Sequence, residues 1–137
     1  MPLTGGCLCK AVRYRIEAEP LVIRECWCRV CQYLGAGSSA VNACFLTAQV
    51  QVTGALTQYQ SRADSGTLMH RSFCPACGTP VFSAAASRAH LLFVRVGTLD
   101  DPDAARPGVA IWTASAPRWA CIDPKLPHEP GQPPPAA

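Results

Sequence analysis

No run of lysine or arginine occurs in this chain, and its net charge is only +3, with a pI of about 8.4. A nucleic-acid-binding surface is therefore not indicated. Charged residues are scarce, at 15% of 137 residues, while hydrophobic residues reach 49%, which suits a compact core and argues against general disorder. Long apolar runs are missing as well. Arg88, His90 and Arg95 break up the best candidate before it approaches the roughly 20 residues needed to cross a bilayer, so no membrane association is expected. Met1-Pro2-Leu3-Thr4-Gly5-Gly6 has neither a basic nor an apolar region and does not read as a signal peptide, so a cytoplasmic location is expected. No Ser/His/Asp arrangement, phosphate loop, carboxylate pair or internal repeat stands out. One domain over residues 1–123 is expected, followed by a proline-rich tail at 124–137 that reads as extended or mobile.

Cysteine is the residue in excess. There are nine, an odd number, in a chain read as cytoplasmic, where disulfides are rare. Seven of them fall into three clusters: Cys7-Leu8-Cys9, then Cys26-Trp27-Cys28-Arg29-Val30-Cys31, then Cys74-Pro75-Ala76-Cys77 followed by Gly78. Crowded small side chains bury little apolar area, but three sulfurs on a tight turn can converge on one ion at about 2.3 Å. A closed structural zinc site takes four ligands, whereas a catalytic one takes three and keeps a position for water or substrate. Seven divides naturally as four plus three. The simplest partition joins the outer pairs, Cys7, Cys9, Cys74 and Cys77, around one zinc and leaves Cys26, Cys28 and Cys31 around a second, open one. Four thiolates on Zn²⁺ carry −2, a unit usually held inert by backbone N–H groups such as Gly78 could offer. Three carry −1, and a thiol arriving from solution would be deprotonated on binding.

Other readings remain at this point. Cys74 and Cys77 have the spacing of a thioredoxin-like redox pair, but turn and strand follow them where such a pair should open a helix. A zinc ribbon is disfavoured by the long separation between Cys31 and Cys74. A single structural zinc with the triple cluster idle is the remaining alternative. Cys44 and Cys121, each in an apolar stretch, read as small buried hydrophobes. His70, His90 and His128 read as strand or surface residues, Arg71 as structural or as a holder of a thiol compound's carboxylate, and Trp112 and Trp119 as core or cavity wall.

The rest of the chain reads as strands and turns. Val12, Tyr14 and Ile16 alternate with Arg13, Arg15 and Glu17 within a strand starting near Leu8, which would point Cys7 and Cys9 to one side. Gly5-Gly6 reads as a turn. Further strands are expected at Leu21–Ile23, Ala40–Leu46, Val50–Thr53, Leu56–Gln60, Thr67–Phe73, Pro80–Ala84, His90–Val96 and Val109–Thr113. A short helical turn is expected at Arg29–Leu34, and a hairpin turn at Gly54-Ala55. Short strands, frequent turns and little helix make an all-β fold.

Three stretches, Gly6-Cys7-Leu8-Cys9-Lys10-Ala11-Val12, Cys26-Trp27-Cys28-Arg29-Val30-Cys31-Gln32 and Arg71-Ser72-Phe73-Cys74-Pro75-Ala76-Cys77-Gly78-Thr79-Pro80, together resemble the glutathione-dependent formaldehyde-activating enzyme family, which includes centromere protein V. The resemblance spans roughly residues 3 to 125. It implies a β-tent of small antiparallel sheets stapled by a structural zinc at Cys7, Cys9, Cys74 and Cys77. It also implies a catalytic zinc at Cys26, Cys28 and Cys31, giving two zincs per chain, with glutathione as thiol co-substrate. The implied activity is that of a carbon–sulfur lyase joining a thiol to a small aldehyde. A non-catalytic glutathione carrier or protein-interaction module is the alternative. Trp27 stands where the family more often has His.

Overall fold

The structure, a computed structural model, describes residues 2–137. It is nearly all β, with 38% of residues in strands and 13% in helix, the latter made, among the described residues, of one short α-helix and four three-residue 3-10 turns, as the pattern of short strands led one to expect. The strands in chain order are β1 (Leu3–Gly6), β2 (Arg13–Ile16), β3 (Val22–Cys26), β4 (Ala40–Leu46), β5 (Val50–Thr53), β6 (Thr57–Arg62), β7 (Leu68–Phe73), β8 (Pro80–Ala85), β9 (Leu91–Arg95) and β10 (Val109–Ile111). The single α-helix among the described residues, α1 (Arg29–Leu34), follows β3.

Two sheets form. The smaller has the order β1-β2-β5 and the larger β10-β3-β4-β9-β8-β7-β6. All pairings within them are antiparallel except β10 on β3, which is parallel. Gly54-Ala55 does not close a hairpin. β5 pairs with β2 while β6 pairs with β7, so the chain changes sheets there. Gly54 has φ of +96°, and a Cβ on it would overlap the Ala11 carbonyl, so only glycine fits the crossing. Gly5-Gly6 also departs from its expected turn by forming part of β1. A Cβ at Gly5 would collide with the Tyr14 ring and the Thr98 carbonyl, so close approach is what glycine provides there. Residues 7–12 turn rather than extend. Lys10 N–H donates to Cys7 O at 3.1 Å, and β2 begins only at Arg13.

Period-two alternation gives the large sheet two different faces. On one, Ala43 and Phe45 of β4, Val94 of β9 and Phe82 of β8 pack with Val12, Tyr14 and Ile16 beneath the small sheet. Tyr14 lies against Phe82 with ring centroids 5.4 Å apart, and its hydroxyl meets Thr98 Oγ1 at 2.8 Å. On the other face the alternate residues line a cavity: Arg24 and Cys26 of β3, Asn42 of β4, Phe93 and Arg95 of β9, Ser83 of β8, Arg71 of β7.

The segment 124–137, expected to be extended or mobile, is extended and held along β10. Ala110 N–H donates to Pro127 O at 2.9 Å, Glu129 N–H to Ala110 O at 2.9 Å, and Trp112 N–H to Gly131 O at 3.3 Å. Proline withholds N–H donors but leaves carbonyls free to accept, so this segment docks mainly through carbonyls. None of its helices being long and apolar enough, no helical membrane span exists among the described residues.

Candidate metal centres and the adjoining cavity

Folding brings the seven clustered cysteines into two groups. Within each, the sulfurs all lie within 4.8 Å of one another: Cys7, Cys9, Cys74 and Cys77 in one, Cys26, Cys28 and Cys31 in the other. In the first, Cys7 and Cys9 sit on the turn between β1 and β2, and Cys74 and Cys77 on the turn between β7 and β8. Cys7 and Cys9 Sγ are 3.6 Å apart, and Cys9 and Cys74 Sγ 3.8 Å. Four sulfurs at about 2.3 Å from one tetrahedral ion would stand about 3.8 Å apart, so the donor set fits zinc. Val12 N–H points at Cys7 Sγ at 3.2 Å, and the Thr79 hydroxyl lies 3.1 Å from Cys77 Sγ. The Thr79 hydroxyl and then the Cys9 backbone N–H pull Cys77 down to about 5, so its thiolate form is favoured. The expected role of the Gly78 N–H differs: it donates to Cys74 O at 2.8 Å and closes the turn rather than reaching a sulfur.

The second group forms where β3 runs into α1. Cys26 ends the strand, Cys28 caps the helix with Sγ accepting from Cys31 N–H at 3.3 Å, and Cys31 lies in the first turn. All three are buried. Hydrogen bonds from Cys26 and then Cys31 bring Cys28 down to about 3. The same contacts with Cys28 and Cys31, together with burial, push Cys26 strongly up. The set therefore accepts one negative charge readily and resists a second, and a divalent cation relieves that resistance. Gln32, also buried, donates through Nε2 to Trp27 O at 2.7 Å and Ser115 O at 2.9 Å, fixing the loop that carries the sulfurs. Among the described residues, no further His, Cys, Asp or Glu joins this group.

The three sulfurs open onto a cavity of about 250 Å³, at the small end for small-molecule sites. Its floor is that other face of the large sheet, where Met69, Ala85 and Phe93 lie among the polar side chains. Trp112 and the tail residues Gln132 and Pro133 form one wall, with Trp112 Nε1 donating to Gln132 Oε1 at 2.9 Å. Four arginines line it, Arg24, Arg71, Arg88 and Arg95, against a single acid, Asp64.

Other residues singled out in the sequence fall as follows. Cys44 is fully buried, as expected, but Cys121 is exposed, because the segment after β10 runs over the surface. Trp112 is cavity wall; Trp119 is 69% exposed rather than core. Trp27 is buried, donates to Glu25 Oε1 at 2.9 Å and does not line the cavity. The three histidines lie outside both groups. Arg71 lines the cavity and donates to the Ser61 hydroxyl. Sequence reasoning missed Arg24, Asn42 and Arg95. The signal for Arg24 was present, since it stands two residues before Cys26 on the same strand face.

Residues 2–115 match the family described as glutathione-dependent formaldehyde-activating enzyme. The chain belongs to that family. A crystal structure of a Rhodobacter sphaeroides protein is similar at 28% identity and a TM-score of 0.57, covering 76% of this chain and 91% of that one. Family membership supports a function linked to glutathione and formaldehyde in general terms, and the cysteine groups that could hold metal lie within the matched span.

Proposed function

We propose that this protein is a zinc-dependent carbon–sulfur lyase of the glutathione-dependent formaldehyde-activating type, adding a glutathione-like thiol to a small aldehyde. The observation that carries the reading is a three-sulfur group that faces a cavity instead of a fourth protein donor. Cys26, Cys28 and Cys31 would hold a zinc ion there, which would supply Lewis acidity and favour the thiolate form of an incoming thiol. In the net reaction a C–S bond forms, the thiol S–H and the carbonyl π bond break, and the proton ends on the former carbonyl oxygen. The chain's own part is to hold. The first turn of α1 fixes Cys28 and Cys31, Gln32 ties down their loop, and Trp112 with the tail forms one wall of the cavity. The arginine-rich floor favours an anionic thiol over a neutral one. The four-cysteine group takes the structural role, joining the β1–β2 turn to the β7–β8 turn.

The test combines metal content per chain, calorimetry with glutathione, and an assay of formaldehyde consumption. Two zincs per chain, saturable glutathione binding and glutathione-dependent consumption are expected. Binding without consumption would favour a thiol carrier, and neither would leave an interaction module, ending the enzymatic reading.

A further inference from the structure

β3, β4 and β9 align one residue each into a row across the cavity floor: Arg24 opposite Asn42, and Asn42 opposite Arg95. The row lies one pleat from Cys26, on the same sheet face. Arg24 is 7% exposed and Arg95 9% exposed, so both residues are buried although they line the cavity. Each makes one hydrogen bond through a terminal nitrogen: Arg95 Nη1 to Asn42 Oδ1 at 2.6 Å and Arg24 Nη2 to Pro134 O at 2.9 Å. Their Nε atoms are buried with no partner. Neither group is paired with a carboxylate; the two ion pairs among the described residues are Arg13–Asp100 and Arg15–Glu17, elsewhere on the molecule.

Buried cations normally come with counter-ions, because desolvation penalises the charged form. Four guanidinium groups line the cavity against one carboxylate, Asp64; of these, Arg88 donates to Ala137 O at 2.6 Å and Arg71 to the Ser61 hydroxyl, which leaves Arg24 and Arg95 as the two held on the floor. Asn42 contributes a fixed acceptor that holds the Arg95 plane, leaving its remaining donors for something else. A planar fork with free N–H groups, buried and lacking a protein acid, is suited to a planar oxyanion bound through two parallel hydrogen bonds.

We propose that Arg24 and Arg95, with Asn42 orienting Arg95, form a carboxylate subsite on the cavity floor next to the three-cysteine group. The subsite takes a carboxylate carried by one of the two reactants, the thiol or the aldehyde. This inference deepens the proposed function and rests on its placement of the reaction in this cavity.

The experiment is isothermal titration calorimetry on the zinc-loaded full chain, with glutathione, glutathione diethyl ester and glyoxylate as probes, for the unaltered protein and for Arg95→Gln, Arg95→Lys and Arg24→Gln. If the thiol supplies the carboxylate, glutathione binds roughly ten- to hundredfold more tightly than its diester. Arg95→Gln then removes that preference while leaving diester affinity unchanged, and Arg95→Lys restores only part of it. If the aldehyde supplies it, glutathione and the diester bind alike, and glyoxylate binds in a manner lost in Arg95→Gln. The acid–ester comparison on unaltered protein decides the thiol arm even if a variant folds poorly. Thiols binding with no acid preference, together with no arginine-dependent glyoxylate binding, would overturn the subsite and leave the thiol reading standing. Glyoxylate binding without any thiol binding would do the reverse.

Discussion

The two cysteine groups differ in how much chain they tie together, and that difference makes a quantitative prediction. Cys9 and Cys74 are 65 residues apart in sequence, so an ion shared by them closes a long loop. Loop-closure entropy for that length is worth about 4 kcal/mol, assuming a flexible unfolded chain. Cys26 to Cys31 closes only a local loop, for which the same relation gives about 2 kcal/mol. Against a domain stability of about 5–15 kcal/mol, the first loss is serious and the second half as large. Cys77→Ser replaces a thiolate favoured by its surroundings with a neutral hydroxyl that binds zinc poorly. The ion is lost and the unfolding midpoint should fall by about 14 °C for a chain of this length. Cys28→Ser should behave differently, because serine is itself a favoured helix cap and can accept from the Cys31 N–H as the sulfur does. It should abolish glutathione binding while costing only about 2 kcal/mol, half the loss expected for Cys77→Ser. The assays are thermal and urea denaturation followed by circular dichroism, zinc content by mass spectrometry, and calorimetry with glutathione. Equal destabilisation by the two substitutions, or a Cys77→Ser protein that loses zinc but keeps its stability, would refute the division of roles.

Further outcomes are open to measurement. Burial pushes the Tyr14 phenol up to about 12, with the Thr98 hydroxyl partly opposing. Its raised folded value means that the associated stability is complete below the unfolded value of about 10 and is lost as pH rises from there to about 12, up to about 2–3 kcal/mol. Tyr14→Phe should flatten the urea midpoint across that alkaline window. Phe45, 1% exposed at the centre of the core, should cost about 3–5 kcal/mol as Phe45→Ala, read from the same unfolding curves. Removal of residues 124–137 takes away the Pro127 and Pro134 carbonyl acceptors and one cavity wall; amide exchange should rise in β10, and glutathione affinity should fall. Unchanged exchange in β10 would show that the tail does not brace it.

The linear chain determined a good deal. Ala40–Leu46, Val50–Thr53 and the helical turn Arg29–Leu34 formed over the expected residues, because local alternation, turn glycines and a cap at Cys28 all act over a few positions. The four-plus-three grouping of cysteines was likewise legible, since tight spacing leaves thiols little to do except share an ion. What remained for tertiary structure was everything that depends on which strands meet. Gly54 looks like a hairpin turn locally, yet β5 and β6 join different sheets, and only the close pass beside Ala11 explains the glycine. The proline-rich tail has few apolar residues to bury, yet its carbonyls find N–H donors on β10, a partner that exists only after the sheet has formed. Arg24, Asn42 and Arg95 come from three separate strands and read one by one as ordinary polar residues. Register alone sets them in a row beside Cys26, because a side chain's face is fixed by its own strand but its neighbours are fixed by the pairing.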